Sequence, residues 1–290
     1  PVKHMFHIHL LPAAYGDAIL IEYGSVDAPH HILIDGGPYG DYKENSLEEK
    51  AWQAAQERIA SQAANLDLLV VTHVDADHIE GVVKLLNRSD LLIKPADVWF
   101  NGWDHLNDRL GAVEGELLST QILELKLPWN EHFARRAVVC RTDEPLPEIV
   151  LDGGMRLTLL SPTLKALSAL IPKWERVVRS AGLEPGKTVS RAHHAWPADL
   201  LGGSSPDIFA LASLPFRNDR TEANGSSIAF LAEFAGKACL FAADARSAIL
   251  EQAIHKLLQA RGQTRLHLDA FKLSHHGSKA NLGPGLLKLL

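Results

Sequence analysis

The chain has 290 residues, with 29 Lys or Arg against 35 Asp or Glu and a formal net charge of −6. That balance excludes a global cationic field for nucleic acid, so a polyanion would have to be met by bound cations or a local basic groove. The 46% hydrophobic and 22% charged composition is ordinary for a soluble globular protein, and the length suits one large α/β domain over 1–290 with a core that needs no disulfide.

The N-terminal third reads as a β-meander. Strands over 6–11, 18–23 and 31–35 are separated by Gly16-Asp17 and by a 24–29 turn that also places His30 and His31 at the hairpin. His7 and His9 alternate with Phe6, Ile8 and Leu10, which puts them on the polar face of the first strand. The third strand runs into Asp35-Gly36-Gly37, a sharp loop exposing a carboxylate at the strand end. A helix is predicted over 46–64, with Asn45 or Ser46 as N-cap and Glu48 and Glu49 in its first turn.

Residues 66–71 form a short β-rich apolar run, the mark of a strand buried on both faces. Residues 72–78 are polar, and helical spacing returns over 79–87. The unit is strand, ligand-rich loop, helix, and loops at the ends of buried strands are where α/β proteins place their chemistry. A further strand is predicted over 97–103, a helix over 114–126, a hairpin from 149–151 and 156–160, and a helix over 163–181. From 182 to 223 the chain is rich in Pro, Gly and Ser without a clear period. It reads as an irregular insertion bordering the site, either a substrate-facing lid or a surface excursion.

Strands over 226–234 and 238–242 then end in Ala243-Asp244. This repeats the earlier pattern of two strands followed by an acid, and suggests two β-sheets meeting back to back with acids from both converging. A helix over 247–260 and a strand over 270–273 lead into Ser274-His275-His276-Gly277-Ser278. The two cysteines, Cys140 and Cys239, form no CxxC pair, which disfavours a zinc knuckle and fits a reducing cytoplasm. Residues 1–5 lack the charged head and apolar run of a signal peptide, and no stretch reaches the ~18 apolar residues of a span, so the expectation is a cytoplasmic chain with no membrane contact. Of the 15 histidines, isolated ones such as His105, His132, His255 and His267 read as structural, because functional histidines converge in groups.

His73, Asp75, Asp77 and His78 put four potential ligands into one short loop. Carboxylates that close repel one another and resist burial. A divalent cation reverses that balance by neutralising the acids and taking imidazole nitrogens as donors. With alternate residues of an extended loop pointing opposite ways, His73 and Asp75 can face one ion and Asp77 and His78 another. The bland alternative is a solvated acidic turn.

Residues 72–81, Thr-His-Val-Asp-Ala-Asp-His-Ile-Glu-Gly, resemble the HxHxDH motif of the metallo-β-lactamase superfamily, in the variant where Asp replaces the second His. That variant is similar to the ComEC-type branch. Gly16-Asp17-Ala18 with Ile34-Asp35-Gly36-Gly37 resembles the branch's opening hairpin. Asn224-Gly225-Ser226-Ser227 followed by Ala243-Asp244 resembles its N-x-S … GD segment, and Leu273–Ser278 its HHGS signature. The resemblance spans nearly the whole chain apart from the insertion. It implies a four-layer αββα fold, two β-sheets packed face to face with helices outside, whose closing elements are missing after Ser278.

The resemblance also implies two divalent ions, Zn or Mn with Mg as a further candidate. His73 and Asp75 would hold the first ion, and Asp77 and His78 the second. Asp244 would bridge them, and Asp35 would orient a histidine from beneath. One of the paired histidines joins the second ion; His276 is preferred as ligand and His275 as substrate contact or proton donor, though the sequence leaves the choice open. Asn224 stands where many relatives place a histidine. The first site is therefore rich in oxygen, which moves preference from zinc towards Mn²⁺ or Mg²⁺.

Such a centre suits a phosphodiesterase acting on single-stranded nucleic acid or a nucleotide, with Asp77 and His275 as catalytic residues. Asn224, Ser227 and Ser278 would contact phosphate oxygens, and Lys84, Arg88, Arg217, Arg220 or Lys279 would line the approach. The same machinery opens lactones, thioesters and β-lactams. A non-catalytic metal-binding scaffold in a multi-protein system, its partner proteins unknown, is the third reading, favoured by Asn224 and the nitrogen-poor first site.

Overall fold

The computed structural model describes residues 3–13, 15–38, 66–87, 94–106, 113–187 and 218–290, with positions 54, 57 and 61. Most of the expected 46–64 helix and of the 182–223 insertion lies outside the described residues, as do Arg88 and Arg217. The chain forms an α/β structure with two five-stranded mixed sheets.

The first sheet contains β1 (His4–Leu10), β2 (Ile19–Ser25), β3 (Ala28–Ile34), β4 (Leu66–Val70) and β5 (Val98–Trp99) in that order. β1–β3 are antiparallel, and β4 and β5 add in parallel. The second contains β6 (Glu148–Val150), β7 (Arg156–Ser161), β8 (Ala229–Phe234), β9 (Lys237–Phe241) and β10 (Ala270–Lys272), with β10 alone parallel to its neighbour.

Period-two alternation decides which side chains meet. Ile21, Tyr23, Ile32, Val70 and Trp99 from the first sheet share one apolar cluster with Leu157, Leu159, Phe230 and Phe241 from the second. Trp99 meets Phe230 edge-on with ring centroids 6.1 Å apart, within the favourable range for an aromatic pair. On the other face of the first sheet, Leu20, Leu33 and Leu69 cluster with α1 (Ala76–Leu86), α2 (Val113–Glu124) and α3 (Leu164–Ser180). A short α4 (Glu222–Gly225) precedes β8. Leu231 and Leu240 of the second sheet pack with Leu250, Ile254 and Leu258 of α5 (Ser247–Arg261), and Leu286 of α6 (Pro284–Lys288) joins that cluster. Each fully buried aliphatic side chain contributes roughly 1.5–3 kcal/mol, so these three clusters supply the main driving force.

The strands and helices fall close to their expected positions, with three instructive differences. His30 and His31 belong to β3, and the turn is at Val26-Asp27. Asp67 of β4 extends the strand by accepting from His31 N at 2.8 Å and contacting His30 Nδ1 at 2.9 Å. The 97–103 strand stops at Trp99 because Phe100 bonds to a side chain instead: Asn130 Oδ1 accepts its N–H and Asn130 Nδ2 donates to its carbonyl, both at 3.0 Å. α1 begins at Ala76, so Asp77 and His78 lie in its first turn and not in an extended loop. Asp75 is the extended N-cap, its carbonyl accepts His78 N at 3.0 Å, and Asp77 favours the positive helix end.

Gly36 and Gly81 hold α1 against the β3 exit. A Cβ on Gly81 would lie 1.9 Å from the Gly36 carbonyl oxygen, and one on Gly36 would lie 2.4 Å from Val82 N. No side chain fits either position. His78 O accepts from Gly36 N at 2.9 Å and Gly37 O from Gly81 N at 2.8 Å across this contact.

Glu116 of α2 is 2% exposed and accepts the Gly186 N–H at 3.0 Å. Burial pushes its carboxyl from 4.5 up to about 7 against the pull of that N–H. The folded chain thus holds a proton that the unfolded chain releases, so stability falls as pH rises between these values and levels off above them. In Glu116→Gln that fall should shrink by about 1–3 kcal/mol, read from urea unfolding midpoints across the same pH window. An unchanged pH profile would show that Glu116 does not carry it.

Candidate metal centre

Four neighbouring strand exits supply the polar residues. β3 ends at Asp35, β4 at Thr72 and His73, β9 at Asp244, and β10 at His275 and His276. Asp35 has no solvent exposure. Its Oδ1 accepts Thr72 N at 2.8 Å, and its Oδ2 accepts Thr72 Oγ1 at 2.7 Å and His78 Nδ1 at 2.8 Å. The proton of His78 is therefore held on Nδ1, leaving Nε2 to face inward. Because the Thr72 hydroxyl donates to Asp35, its oxygen accepts from His73 Nδ1 at 3.0 Å, and His73 also turns Nε2 inward.

These inward atoms converge. His78 Nε2 lies 3.4 Å from Asp244 Oδ1 and 3.6 Å from Asp77 Oδ2. His73 Nε2 lies 3.6 Å from Asp75 Oδ2 and 4.0 Å from Asp244 Oδ2. His73 Nε2, His78 Nε2 and Asp244 Oδ1 are buried and have no hydrogen-bond partner among the described residues. Each unsatisfied buried polar atom costs about 1–3 kcal/mol. Donors about 2.1 Å from a shared cation stand about 3–4 Å from one another, which is the spacing found. The donor chemistry and the orphaned atoms both fit a divalent metal. His73, His78 and Asp244 form one group of mutually close ligand atoms, and Asp77, His78 and His276 another.

The electrostatics follow from the crowding. Burial would raise the Asp244 carboxyl, but the neighbouring His78 and the charge of His73 hold it far below its usual range. Burial would lower His78, yet Asp35 and Asp244 raise it well above an ordinary imidazole. Asp75 is likewise held down by His73 against burial.

The paired histidines diverge. His276 Nε2 is 3.0 Å from Asp77 Oδ2 and its Nδ1 3.6 Å from Asp17 Oδ1, and these two acids raise it to about 9. His275 Nε2 faces Asp244 Oδ2 at 3.7 Å, while its Nδ1 lies 3.1 Å from Asn281 Oδ1 and 3.2 Å from Asn224 Nδ2. Asp35, Ala243, His275 and His276 all have positive φ, between 45° and 55°, a strained conformation for residues with a Cβ.

Asp17, Lys272, Asp219 and Asn281 belong to this neighbourhood and were not singled out as site residues from the sequence. Asp17 pairs with Lys272 and approaches His78 Nδ1 at 4.0 Å. The signal for it was Gly16-Asp17, read only as part of a hairpin. Asn224 and Ser227 are buried, and Ser278 is half-buried, donating its backbone N–H to His275 O at 2.7 Å. Among the described residues, no side-chain hydrogen bond or ion pair joins Ser227 or Ser278 to the acids. A separate group, His7, His9 and Glu22, lies across β1 and β2, where His9 Nε2 meets Glu22 Oε2 at 2.7 Å. No described helix is long and apolar enough to cross a membrane.

Compared with profiles of known protein families and with curated proteins, the chain matches none. The candidate site therefore stands on its residues and their geometry.

Asp35→Ala strands three donors, two on Thr72 and one on His78, in an interior closed to water. A loss of about 3–5 kcal/mol is expected in urea unfolding, with Asp35→Asn closer to wild type. An Asp35→Ala midpoint equal to wild type would remove Asp35 from this role. Adding Zn²⁺ or Mn²⁺ to chelator-treated chain should raise Tm by several degrees, and His78→Ala should abolish the rise.

Proposed function

We propose that the chain is a metal-dependent phosphodiesterase with a dinuclear centre, in a four-layer αββα fold of metallo-β-lactamase type. The observation that carries this reading is the convergence of three buried, unpartnered donor atoms, on His73, His78 and Asp244, with further acids beside them. His73 and Asp75 would hold one cation and Asp77, His78 and His276 the other. Asp244 would serve both, since Oδ1 turns towards His78 and Oδ2 towards His73. When bound, two divalent cations activate water and neutralise charge on both the attacking and leaving oxygens of an in-line displacement.

The chain's own residues do the positioning. Asp35 fixes the His78 ring, and Thr72 fixes His73. Asp17 and Asp77 grip His276 from its two nitrogens. Ser278 is the proposed phosphate contact, whereas the buried Asn224 and Ser227 belong to the framework. Three carboxylates among the six proposed ligands, Asp75, Asp77 and Asp244, favour Mn²⁺ or Mg²⁺ beside zinc. The net charge of −6 favours a nucleotide or a single-stranded end over long duplex DNA.

The test is release of p-nitrophenol from bis-p-nitrophenyl phosphate, with lactone and thioester reporters in parallel. Turnover should require Mn²⁺ or Zn²⁺, stop with chelator, and fall at least about 100-fold in Asp77→Ala. Chelator-resistant turnover, or turnover confined to the lactone or thioester, would overturn the proposal.

A further inference from the structure

Asp219 lies beside the candidate centre without reaching its inward-facing atoms. Its Oδ1 accepts the backbone N–H and the hydroxyl of Thr221, both at 2.8 Å, and its Oδ2 accepts Asn224 Nδ2 at 2.6 Å and Asn281 Nδ2 at 3.0 Å. A carboxylate with these partners can only accept, so both amides must turn their nitrogens towards it.

For Asn281 the orientation is fixed three times over. It is fully buried, and its Nδ2 faces Asp219 Oδ2, the Asp244 carbonyl at 3.2 Å and the Ala245 carbonyl at 3.4 Å. Turned over, the amide oxygen would meet three acceptors. Asn281 Oδ1 is left facing His275 Nδ1 at 3.1 Å, and an amide oxygen there needs a proton on that nitrogen. Asn224 Nδ2, 3.2 Å from the same Nδ1, would ask for the opposite tautomer. One of its two N–H groups is committed to Asp219 at the shorter contact, and the Asp219 charge 3.8 Å from Nδ1 weighs against a bare Nδ1 for the other by favouring the positive end of an N–H at that place.

We infer that Asp219 is a positioning residue: acting through the Asn281 amide, it holds the His275 proton on Nδ1 and leaves Nε2 bare as an electron-pair donor facing Asp244. The 3.7 Å from Nε2 to Asp244 Oδ2 is longer than a hydrogen bond, as expected of two electron-pair donors across a gap. The inference rests on the metal-hydrolase reading only in what the electron pair is for. It supplies a nitrogen donor beside the oxygen-rich side of the centre, where Asn224 offers none. With its proton held on Nδ1, His275 presents Nε2 as a ligand atom in place of the proton-donor role implied by the family resemblance.

The experiment uses the full chain, metal-free and labelled with ¹⁵N-histidine, at a pH well above the ordinary imidazole range. The His275 signals, identified by their loss in His275→Gln, should show a protonated Nδ1 and a bare Nε2. Asn281→Ala should shift the proton to Nε2, which free imidazole side chains prefer. The near-isosteric Asp219→Asn should populate that second tautomer, and it carries the test if Asn281→Ala does not fold. Zinc affinity by calorimetry should weaken about 10–100-fold in His275→Gln and in Asn281→Ala. A proton on Nε2 in the unaltered chain, or a tautomer unmoved in both variants, would overturn the role of Asp219. Unchanged zinc affinity in His275→Gln would overturn the donor role. The tautomer is read without metal or turnover, so it is decided separately from the hydrolase reading.

Discussion

Asp35 accepts from Thr72 twice and from His78 once, at a position closed to solvent. Those three bonds tie the end of β3 to the end of β4 and to the first turn of α1. With the Asp35 proton acceptors filled, both His73 and His78 have their Nδ1 side committed, and only Nε2 remains for chemistry. The close approach of Gly36 to Gly81 sets how near α1 comes to this carboxylate, and the left-handed backbone at Asp35 aims it. Loss of any of these would disturb the aim of the imidazoles, and a 1 Å error at such a site costs most of its function.

Around that anchor the site concentrates like charge. Asp17, Asp75, Asp77 and Asp244 lie within reach of one another through His73, His78 and His276. Asp17 and Asp244 are buried, and burial of acids is tolerable only with positive partners. Lys272 serves Asp17, and the raised affinities of His78 and His276 for protons serve the rest. Cations at this place would compete with those protons, because ligands bind metal in their deprotonated forms.

Much of the architecture was readable from the sequence because hydrophobic period decides it. The runs at Leu66–Val70 and Ala229–Phe234 announce buried strands, and α1, α2, α3 and α5 follow helical spacing. What escaped depended on side chains replacing local signals. Asn130 ends β5 by pairing with Phe100 from about thirty residues away, and Asp67 holds His30 and His31 in a strand. At the site, the dense cluster from His73 to His78 stood out because several ligand types share a few positions. Asp219 and Asn281 gave no such signal. Asp219 sits in a polar run and Asn281 ends a short 3-10 turn, and only the fold brings them against His275.

The two sheets carry the same device. In the first, the β2–β3 hairpin ends in Asp35 and a parallel β4 beside β3 delivers His73; in the second, the β8–β9 hairpin ends in Asp244 and a parallel β10 beside β9 delivers His275 and His276. The acids have divided the labour, Asp35 as a fully bonded anchor and Asp244 as a donor whose Oδ1 is left unpartnered. Because neither half owns a complete set of ligands, the centre comes into being only when the halves close on each other. It is a seam between them, and a cation held there would act as a rivet.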